Sequence, residues 1–182
     1  MPIKQCVILS LALSTSNAFA YKVIGIEDGD GITLLVDQKP LQIRLANIDA
    51  PEKQQAYGQR SKQSLSDVCW GKDATYQAQT IDKYGRTVAV VTCDGIEANR
   101  AQVERGLAWV YERYNLDRSL PALQGEARTA RRGLWADKEP VPPWVFRHPD
   151  AAQTKANSDL TCYTGPRGGR YQVVNGKKRY GC

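Results

Sequence analysis

Residues 22–52 decide the fold, and they read KVIGIEDGDGITLLVDQKPLQIRLANIDAPE. Residues 22–26 and 32–36 are β-branched and apolar, and residues 41–45 alternate apolar and polar side chains, which is the period of a half-buried strand. The acidic, glycine-rich residues 27–31 separate the first two runs, and residues 37–40 make the second turn. The stretch therefore predicts three strands joined as a meander.

Two more strands and three helices are predicted after the meander. The strands are residues 74–79 and 87–93, on either side of a turn. The helices are residues 57–68, 97–110 and 120–132, where apolar side chains recur at helical spacing. This order predicts a mainly β fold with α: a five-stranded OB-type barrel with about three packed helices. Such barrels commonly receive oligonucleotides on their surface.

Export is predicted by the first twenty residues. Lys4 precedes a short apolar run, and Ala18, Phe19 and Ala20 form the small-x-small pattern of a signal peptidase site. The run is shorter than the roughly 20 residues that span a bilayer. We expect residues 1–20 to be a signal peptide and the mature chain, without a membrane span, to be periplasmic or secreted.

Three regions are predicted in the mature chain. Residues 21–138 would form the barrel domain. Residues 139–159 would form a linker that is first proline-rich and then small and polar, with the prolines expected to interrupt any regular element. Residues 160–182 would form a small hairpin. The chain has 182 residues, 42% hydrophobic and 24% charged, which is typical of a globular protein and excludes collagen and wholesale disorder.

The net charge is concentrated at the C-terminus. Residues 21–159 carry equal numbers of basic and acidic side chains, whereas residues 160–182 carry five basic side chains and no acidic one. A basic tail on a neutral body is typical of an electrostatic arm for polyanions. The alternative is a solvated tail that only aids solubility.

The cysteines predict two disulfides. Four cysteines follow residue 20, an even number in an oxidising compartment. Three connectivities are possible, and we prefer Cys69 with Cys93 and Cys162 with Cys182, because each closes a local loop. No C-x-x-C pair is present, so a zinc site built from these thiols is not expected.

The side chains available for chemistry are carboxylates and arginines. The one histidine, His148, falls in the proline-rich segment, so mechanisms that need a histidine base are not expected. Asp30 follows the first strand and Asp49 follows the third, and a meander places both strand ends on the same side of the sheet. Paired carboxylates with a backbone carbonyl and water suit Ca²⁺. Each such residue alone is more typical of a cap, a turn or a surface ion pair.

Several ordered motifs resemble the thermonuclease (staphylococcal nuclease-like) family over about residues 21–135. They are Asp28-Gly-Asp30, Ile43-Arg44-Leu45, Ile48-Asp49-Ala50-Pro51-Glu52, Asp82-Lys83-Tyr84-Gly85-Arg86, Ala98-Asn99, Gly106-Leu107-Ala108, and Ala127-Arg128 leading to Gly133-Leu134-Trp135. The resemblance implies an OB barrel and Ca²⁺-dependent hydrolysis of DNA and RNA that leaves 3′-phosphate ends.

The resemblance also implies the roles of individual residues. Metal ligands would be Asp30, Asp49 and the Ala50 carbonyl; Glu52 would be the general base; Arg44 and Arg86 would bind the scissile phosphate; Tyr84, Tyr114 and Lys83 would contact the nucleic acid. No recognition helix with base-reading side chains is evident, so we expect little sequence specificity. We also expect the chain to be a monomer.

Two other functions compete with the nuclease hypothesis. One is a catalytically inactive OB-fold module that binds nucleic acid or a protein. The other is a cell-surface or structural protein that uses the basic tail. The complete set of metal ligands, base and arginines favours the enzyme.

Overall fold

A closed barrel is the central feature of the computed structural model, which describes residues 19–148, 162–166, 168–174 and 177–181. The strands are β1 (Tyr21–Ile26), β2 (Gly31–Val36), β3 (Lys39–Leu45), β4 (Ile48–Asp49), β5 (Asp73–Ile81), β6 (Thr87–Cys93), β7 (Ile96–Glu97), β8 (Trp109–Val110), β9 (Tyr163–Thr164), β10 (Arg170–Val174) and β11 (Lys177–Tyr180). The helices are α1 (Gly58–Cys69), α2 (Ala98–Glu104), α3 (Leu120–Thr129) and α4 (Pro143–Phe146), with 3₁₀ turns at Glu112–Tyr114 and Gly133–Ala136.

The barrel strands run in the order β3-β2-β1-β5-β6, and a parallel pairing of β3 with β6 closes the ring. The other neighbours in the ring are antiparallel. The short β7 extends β6 at one edge. The predicted OB-type barrel and its meander are therefore confirmed.

The second helix, predicted over residues 97–110, is shorter in the structure. α2 ends at Glu104, and Gly106 has a φ of +66°. A Cβ at Gly106 would lie 2.3 Å from a backbone carbonyl oxygen, so the chain can turn here only with glycine. The chain then enters β8, which pairs with β4 through Asp49 opposite Trp109. The break in the helix thus provides the strand that holds Asp49. The third helix also ends before Arg132, at Thr129.

Asn99 of α2 forms buried hydrogen bonds beside the parallel β3–β6 pairing that closes the barrel, which we call the seam. Its Oδ1 accepts a hydrogen bond from the Val91 amide at 3.0 Å, and its Nδ2 donates to the carbonyls of Ala46 at 2.8 Å and Ala89 at 3.2 Å. The side chain is 1% exposed. Buried backbone groups at the point where β3 leaves β6 are therefore paired by one side chain.

The predicted disulfide between Cys69 and Cys93 is confirmed. It joins the last residue of α1 to the last residue of β6, with a Cα–Cα distance of 5.3 Å. Both cysteines are fully buried in the core. Cys162 is also disulfide-bonded. Its predicted pairing with Cys182 lies outside the described residues.

Part of the predicted linker packs on the barrel. Pro143 was expected to interrupt regular structure, but it is the first residue of the helical turn α4, where its missing N–H costs nothing. The Trp144 ring stacks on Tyr111, with centroids 5.4 Å apart and planes 4° apart, and meets Trp109 edge-on at 5.7 Å. Residues 140–148 of the predicted linker therefore contact the barrel, whereas residues 149–159 lie outside the described residues.

The C-terminal segment forms a three-stranded sheet in the order β11-β10-β9. The predicted hairpin corresponds to β10 and β11, and β9 adds a strand that the sequence did not predict. Its turn residues, Asn175 and Gly176, lie outside the described residues, as does most of the predicted signal peptide. None of the described helices is long and apolar enough to cross a membrane.

Candidate active site

Asp30 and Asp49 lie on either side of one guanidinium group. Arg44 Nη1 donates to Asp30 Oδ1 at 3.0 Å, and Arg44 Nη2 donates to Asp49 Oδ1 at 2.5 Å. Arg44 is opposite Gly31 in the β2–β3 pairing, which sets it beside the turn that carries Asp30. The meander thus brings the two predicted metal-ligating carboxylates together, as the order of its strands implied.

Both aspartates are buried. The Asp30 residue is 2% exposed and the Asp49 residue is 0% exposed. Asp30 Oδ2 accepts a hydrogen bond from the Ala50 amide at 2.8 Å, which fixes Ala50 next to the pair. Burial raises the pKa of Asp30, Arg44 opposes this shift, and Asp28 and Asp49 add to it. The two carboxylates raise the pKa of Arg44 although burial acts against them.

Close packing on α1 fixes the turn that carries Asp30. A Cβ at Gly29 would lie 1.9 Å from Ser61 Oγ and 2.7 Å from the Ala50 Cβ, so no larger residue fits there. The carbonyl of Gly29 accepts a hydrogen bond from the buried Gln102 Nε2 at 2.6 Å. Helices α1 and α2 therefore position the turn, because one supplies Ser61 and the other Gln102.

Glu52 lies at the solvent-exposed edge of this cluster, with its side chain 37% exposed. It follows β4 by three residues, and its amide donates to Gln55 Oε1 at 3.1 Å. A carboxylate that is both exposed to solvent and next to the buried aspartates can accept a proton from a water molecule held there.

Arg147, which the sequence analysis missed, completes the cluster. Its Nη2 lies 2.6 Å from Asp49 Oδ2, and its Nη1 lies 3.1 Å from Asp49 Oδ1 and 2.6 Å from Glu52 Oε1. Hydrogen bonding to Asp49 raises the pKa of Arg147. Proline is common at the first position of a helix, so Pro143 was a signal in the proline-rich segment that could have indicated this turn.

The structure does not bring Arg86 into contact with this cluster. Among the described residues, the Arg86 side chain forms hydrogen bonds only with Asp82, with Nε and Nη2 each 2.8 Å from Asp82 Oδ2. Asp82 also accepts from the amides of Tyr84 and Arg86. Burial acts to raise the pKa of Asp82, but these hydrogen bonds together lower it below its usual value. The turn thus holds Arg86 through Asp82.

The predicted nucleic-acid contacts are exposed aromatic rings. Tyr84 is 71% exposed, with Lys83 Nζ 4.9 Å and Arg86 Cζ 5.6 Å from its ring centre. Tyr114 is 57% exposed, with Arg113 Cζ 5.5 Å from its ring centre. Both rings are thus placed beside cations and available to a base, a combination that holds single strands without reading sequence.

The chemistry of the cluster fits a hard cation. Four carboxyl groups, those of Asp28, Asp30, Asp49 and Glu52, face only two guanidinium groups. Asp28 belongs to the cluster because its Oδ1 accepts from the Asp30 amide at 3.1 Å. Oxygen ligands and excess negative charge are what Ca²⁺ requires. Within the described ranges, no group of three or more His, Cys, Asp or Glu side chains is spaced to hold a metal by itself. Backbone and water oxygens would have to complete the ligand set.

Known proteins resemble this chain over the same region. The family profile described as Staphylococcal nuclease homologue matches residues 42–137. An uncharacterized endonuclease of Escherichia coli O157:H7 is 47% identical over 128 residues, 70% of this chain and 84% of that protein. An uncharacterized endonuclease of Haemophilus influenzae is 40% identical over 146 residues, 80% of each chain. Micrococcal nuclease of Shigella flexneri is 33% identical over 156 residues, 80% of this chain and 90% of that protein.

The matched region contains Arg44, Asp49 and Glu52 of the cluster, and also Arg86, which lies outside the cluster. Asp28 and Asp30 precede the matched region, and Arg147 follows it. Since this region is more than half of the chain and the fold is the barrel that the motifs implied, the chain belongs to the staphylococcal nuclease homologue family.

Proposed function

We propose that the chain is a Ca²⁺-dependent nuclease that hydrolyses phosphodiester bonds of DNA, RNA or both. It acts with little sequence specificity and leaves 3′-phosphate ends. The observation that carries the proposal is the pair of buried carboxylates, Asp30 and Asp49, held by the single guanidinium of Arg44 with Glu52 beside them. The endonuclease and micrococcal nuclease names of the relatives support the same reaction class.

The proposed metal ligands are oxygen atoms on adjoining segments. Asp30 and Asp49 supply carboxylates and Ala50 supplies its backbone carbonyl, the hard oxygen set that suits Ca²⁺. When bound, Ca²⁺ would offset the negative charge that develops on the phosphoryl oxygens. Ala50 serves this role without a polar side chain, because only its main chain is needed.

Arg44 and Arg86 are the proposed phosphate-binding groups. Arg44 uses one N–H of each terminal nitrogen on Asp30 and Asp49, and a guanidinium has five N–H donors, so further donors remain for a phosphate oxygen. Arg86 is held by Asp82 on an exposed turn, from which it would meet the substrate. Guanidinium groups placed before the reaction lower the barrier because the transition state carries more charge on these oxygens.

Glu52 is the proposed general base. It would accept a proton from the attacking water at Oε1 or Oε2. The Oε1 atom now accepts a hydrogen bond from Arg147. The nucleotides on each side of the scissile bond would be held by stacking on Tyr84 and Tyr114 and by the charge of Lys83. Stacking and charge act on every base alike, so these contacts do not select a sequence.

We also propose that the mature chain works outside the cytoplasm. The signal-like residues 1–20 and the Cys69–Cys93 disulfide support this location. Sequencing the N-terminus of protein recovered from cell fractions tests it. An N-terminus at Tyr21 in the periplasm or medium is expected, and an uncleaved cytoplasmic chain would contradict the proposal.

A specific observation favours the second candidate, a catalytically inactive OB-fold module that binds nucleic acid. Arg147 occupies oxygen atoms of both Asp49 and Glu52. If this contact is permanent, both oxygens of Asp49 and one oxygen of Glu52 stay bound to a guanidinium instead of a metal or a water molecule.

One experiment separates the two functions. The mature chain is incubated with end-labelled single-stranded DNA, duplex DNA and RNA, with Ca²⁺ or with the chelator EGTA. We expect cleavage only with Ca²⁺, and products that a polymerase extends only after phosphatase treatment. Asp49→Asn should abolish cleavage, whereas the matched control Asp67→Asn, on the exposed face of α1, should not. Binding without cleavage in Ca²⁺ would overturn the enzyme and favour the inactive module.

A further inference from the structure

Three tyrosines form a row across the C-terminal sheet. Tyr171 of β10 is directly opposite Tyr180 of β11 and Tyr163 of β9. Directly opposed residues point to the same face of a sheet, so the three rings share one face. Neighbouring ring centres are 5.8 Å and 5.7 Å apart. We call Tyr163, Tyr171 and Tyr180 the tyrosine row.

The tyrosine row is open to solvent rather than buried as a core. Tyr163 is 49% exposed and Tyr180 is 70% exposed. Both outer rings therefore present much of their surface to whatever approaches this face. Contiguous exposed aromatic surface on a soluble protein commonly marks a binding site.

Cations accompany the row. Lys178 is two residues from Tyr180 and so shares its face, with its Nζ 4.5 Å from the centre of the Tyr171 ring. Arg170 and Arg179, which alternate with the row, are exposed on the opposite face. Residues 160–182 contain five basic side chains and no acidic one. The ligand that fits is therefore a polyanion with flat apolar groups.

We propose that the tyrosine row is a binding face for single-stranded nucleic acid, on residues that take no part in the candidate active site. Unpaired bases stack on aromatic rings while a cation on the same face, here Lys178, meets a phosphate, and a duplex hides the base faces that stacking needs. The proposal does not depend on cleavage, because binding here would persist if the barrel were inactive.

The charge distinguishes this ligand from other partners of aromatic surfaces. A neutral polysaccharide also stacks on tyrosine rings, but it gains nothing from a segment with only basic charges. An acidic protein would use the charges, but it has no need for a row of exposed rings. Only a single-stranded nucleic acid uses both features.

The test measures binding by the full mature chain in EGTA, where the proposed metal-dependent cleavage is off. Fluorescence anisotropy compares oligo-dT with an abasic oligodeoxyribose phosphate of the same length, which keeps the charges and lacks the bases. The ring variants are Tyr180→Leu, Tyr163→Leu and Tyr180→Phe. The charge variants are Lys178→Gln and its matched control Lys138→Gln, an exposed lysine of the barrel domain.

Loss of a ring should weaken oligo-dT binding by about 5- to 150-fold, the range for one stacked base, and leave abasic binding unchanged. Tyr180→Phe keeps the ring and should bind like the parent. Lys178→Gln should lower the slope of log affinity against log salt by about 0.7, and Lys138→Gln should not change it.

Three outcomes would overturn the proposal. The first is unchanged oligo-dT binding in both leucine variants. The second is an equal loss for oligo-dT and the abasic strand, which would assign the effect to folding of the sheet. A free thiol count after denaturation, compared with the parent, shows whether the Cys162 disulfide survives in each variant. The third is a neutral polysaccharide that binds the parent and is lost in the leucine variants while oligo-dT is retained.

Discussion

Replacement of Arg147 by Gln should tighten Ca²⁺ binding to the substrate-free protein. Arg147 forms three hydrogen bonds to Asp49 and Glu52, at 2.6, 3.1 and 2.6 Å. Asp49 is a proposed metal ligand, so the metal and the guanidinium compete for the same carboxylate oxygens. Removal of the competitor therefore raises the apparent affinity by the free energy of the contact that the metal must displace.

The magnitude follows from the exposure of the contact. The Arg147 side chain is 32% exposed, so solvent screens its interactions, and we count the three bonds as one charged hydrogen bond of about 1.5–3 kcal/mol. Each 1.4 kcal/mol is tenfold, which gives an affinity increase of roughly 10- to 150-fold.

Isothermal titration of the mature chain with CaCl₂ measures the affinity directly, without substrate or turnover. The matched control is Arg118→Gln, which removes one exposed arginine far from these contacts in sequence and should leave the affinity unchanged. In EGTA, Arg147→Gln should melt at a lower temperature than the parent, because the fully buried Asp49 then keeps only Arg44 as its cationic partner.

An unchanged or weakened Ca²⁺ affinity in Arg147→Gln would refute the competition. It would mean that Arg147 holds Asp49 and Glu52 in place for the metal rather than against it.

Three other changes test the site and the barrel. Glu52→Gln should keep Ca²⁺ binding and lower kcat by roughly 10² to 10⁴, and parental turnover would remove Glu52 as the base. Asn99→Ala leaves the buried Val91 amide unpaired and should cost at least about 1–3 kcal/mol in urea unfolding. An unchanged midpoint would show that Asn99 does not stabilise the barrel. Serine at both Cys69 and Cys93 should cost about 3 kcal/mol while the barrel still folds, and equal melting temperatures for parent and variant would show that the disulfide adds no stability.

The strands were predictable because their signals are local. Residues 22–45 alternate or cluster apolar side chains between turn residues, and the structure has three strands there with ends shifted by a residue or two. The second helix was predicted too long, and the reason is not local. Residues 107–110 have helical periodicity, but pairing of Trp109–Val110 with Ile48–Asp49 overrides it.

The cluster was predictable only in part. The convergence of Asp30 and Asp49 follows from strand order, because the ends of the first and third strands of a meander lie on the same side of the sheet. Arg147 does not follow, because its partner Asp49 is 98 residues away and its own segment is dominated by prolines. That segment contacts the barrel through Trp144 stacked on Tyr111 as well as through Arg147, and no local pattern specifies these long-range contacts.

The parallel seam between β3 and β6 has a kinetic consequence. Arg44 lies in this seam, with Val88 of β6 on one side and Gly31 of β2 on the other. The seam joins segments far apart in sequence. Such pairings form slowly, because the chain loses loop-closure entropy before the new contacts stabilise it. A refolding chain with every local hairpin but an open seam would leave Arg44 unsupported on one side. Recovery of the Asp30–Arg44–Asp49 cluster should therefore follow closure of this long-range pairing, not the appearance of secondary structure.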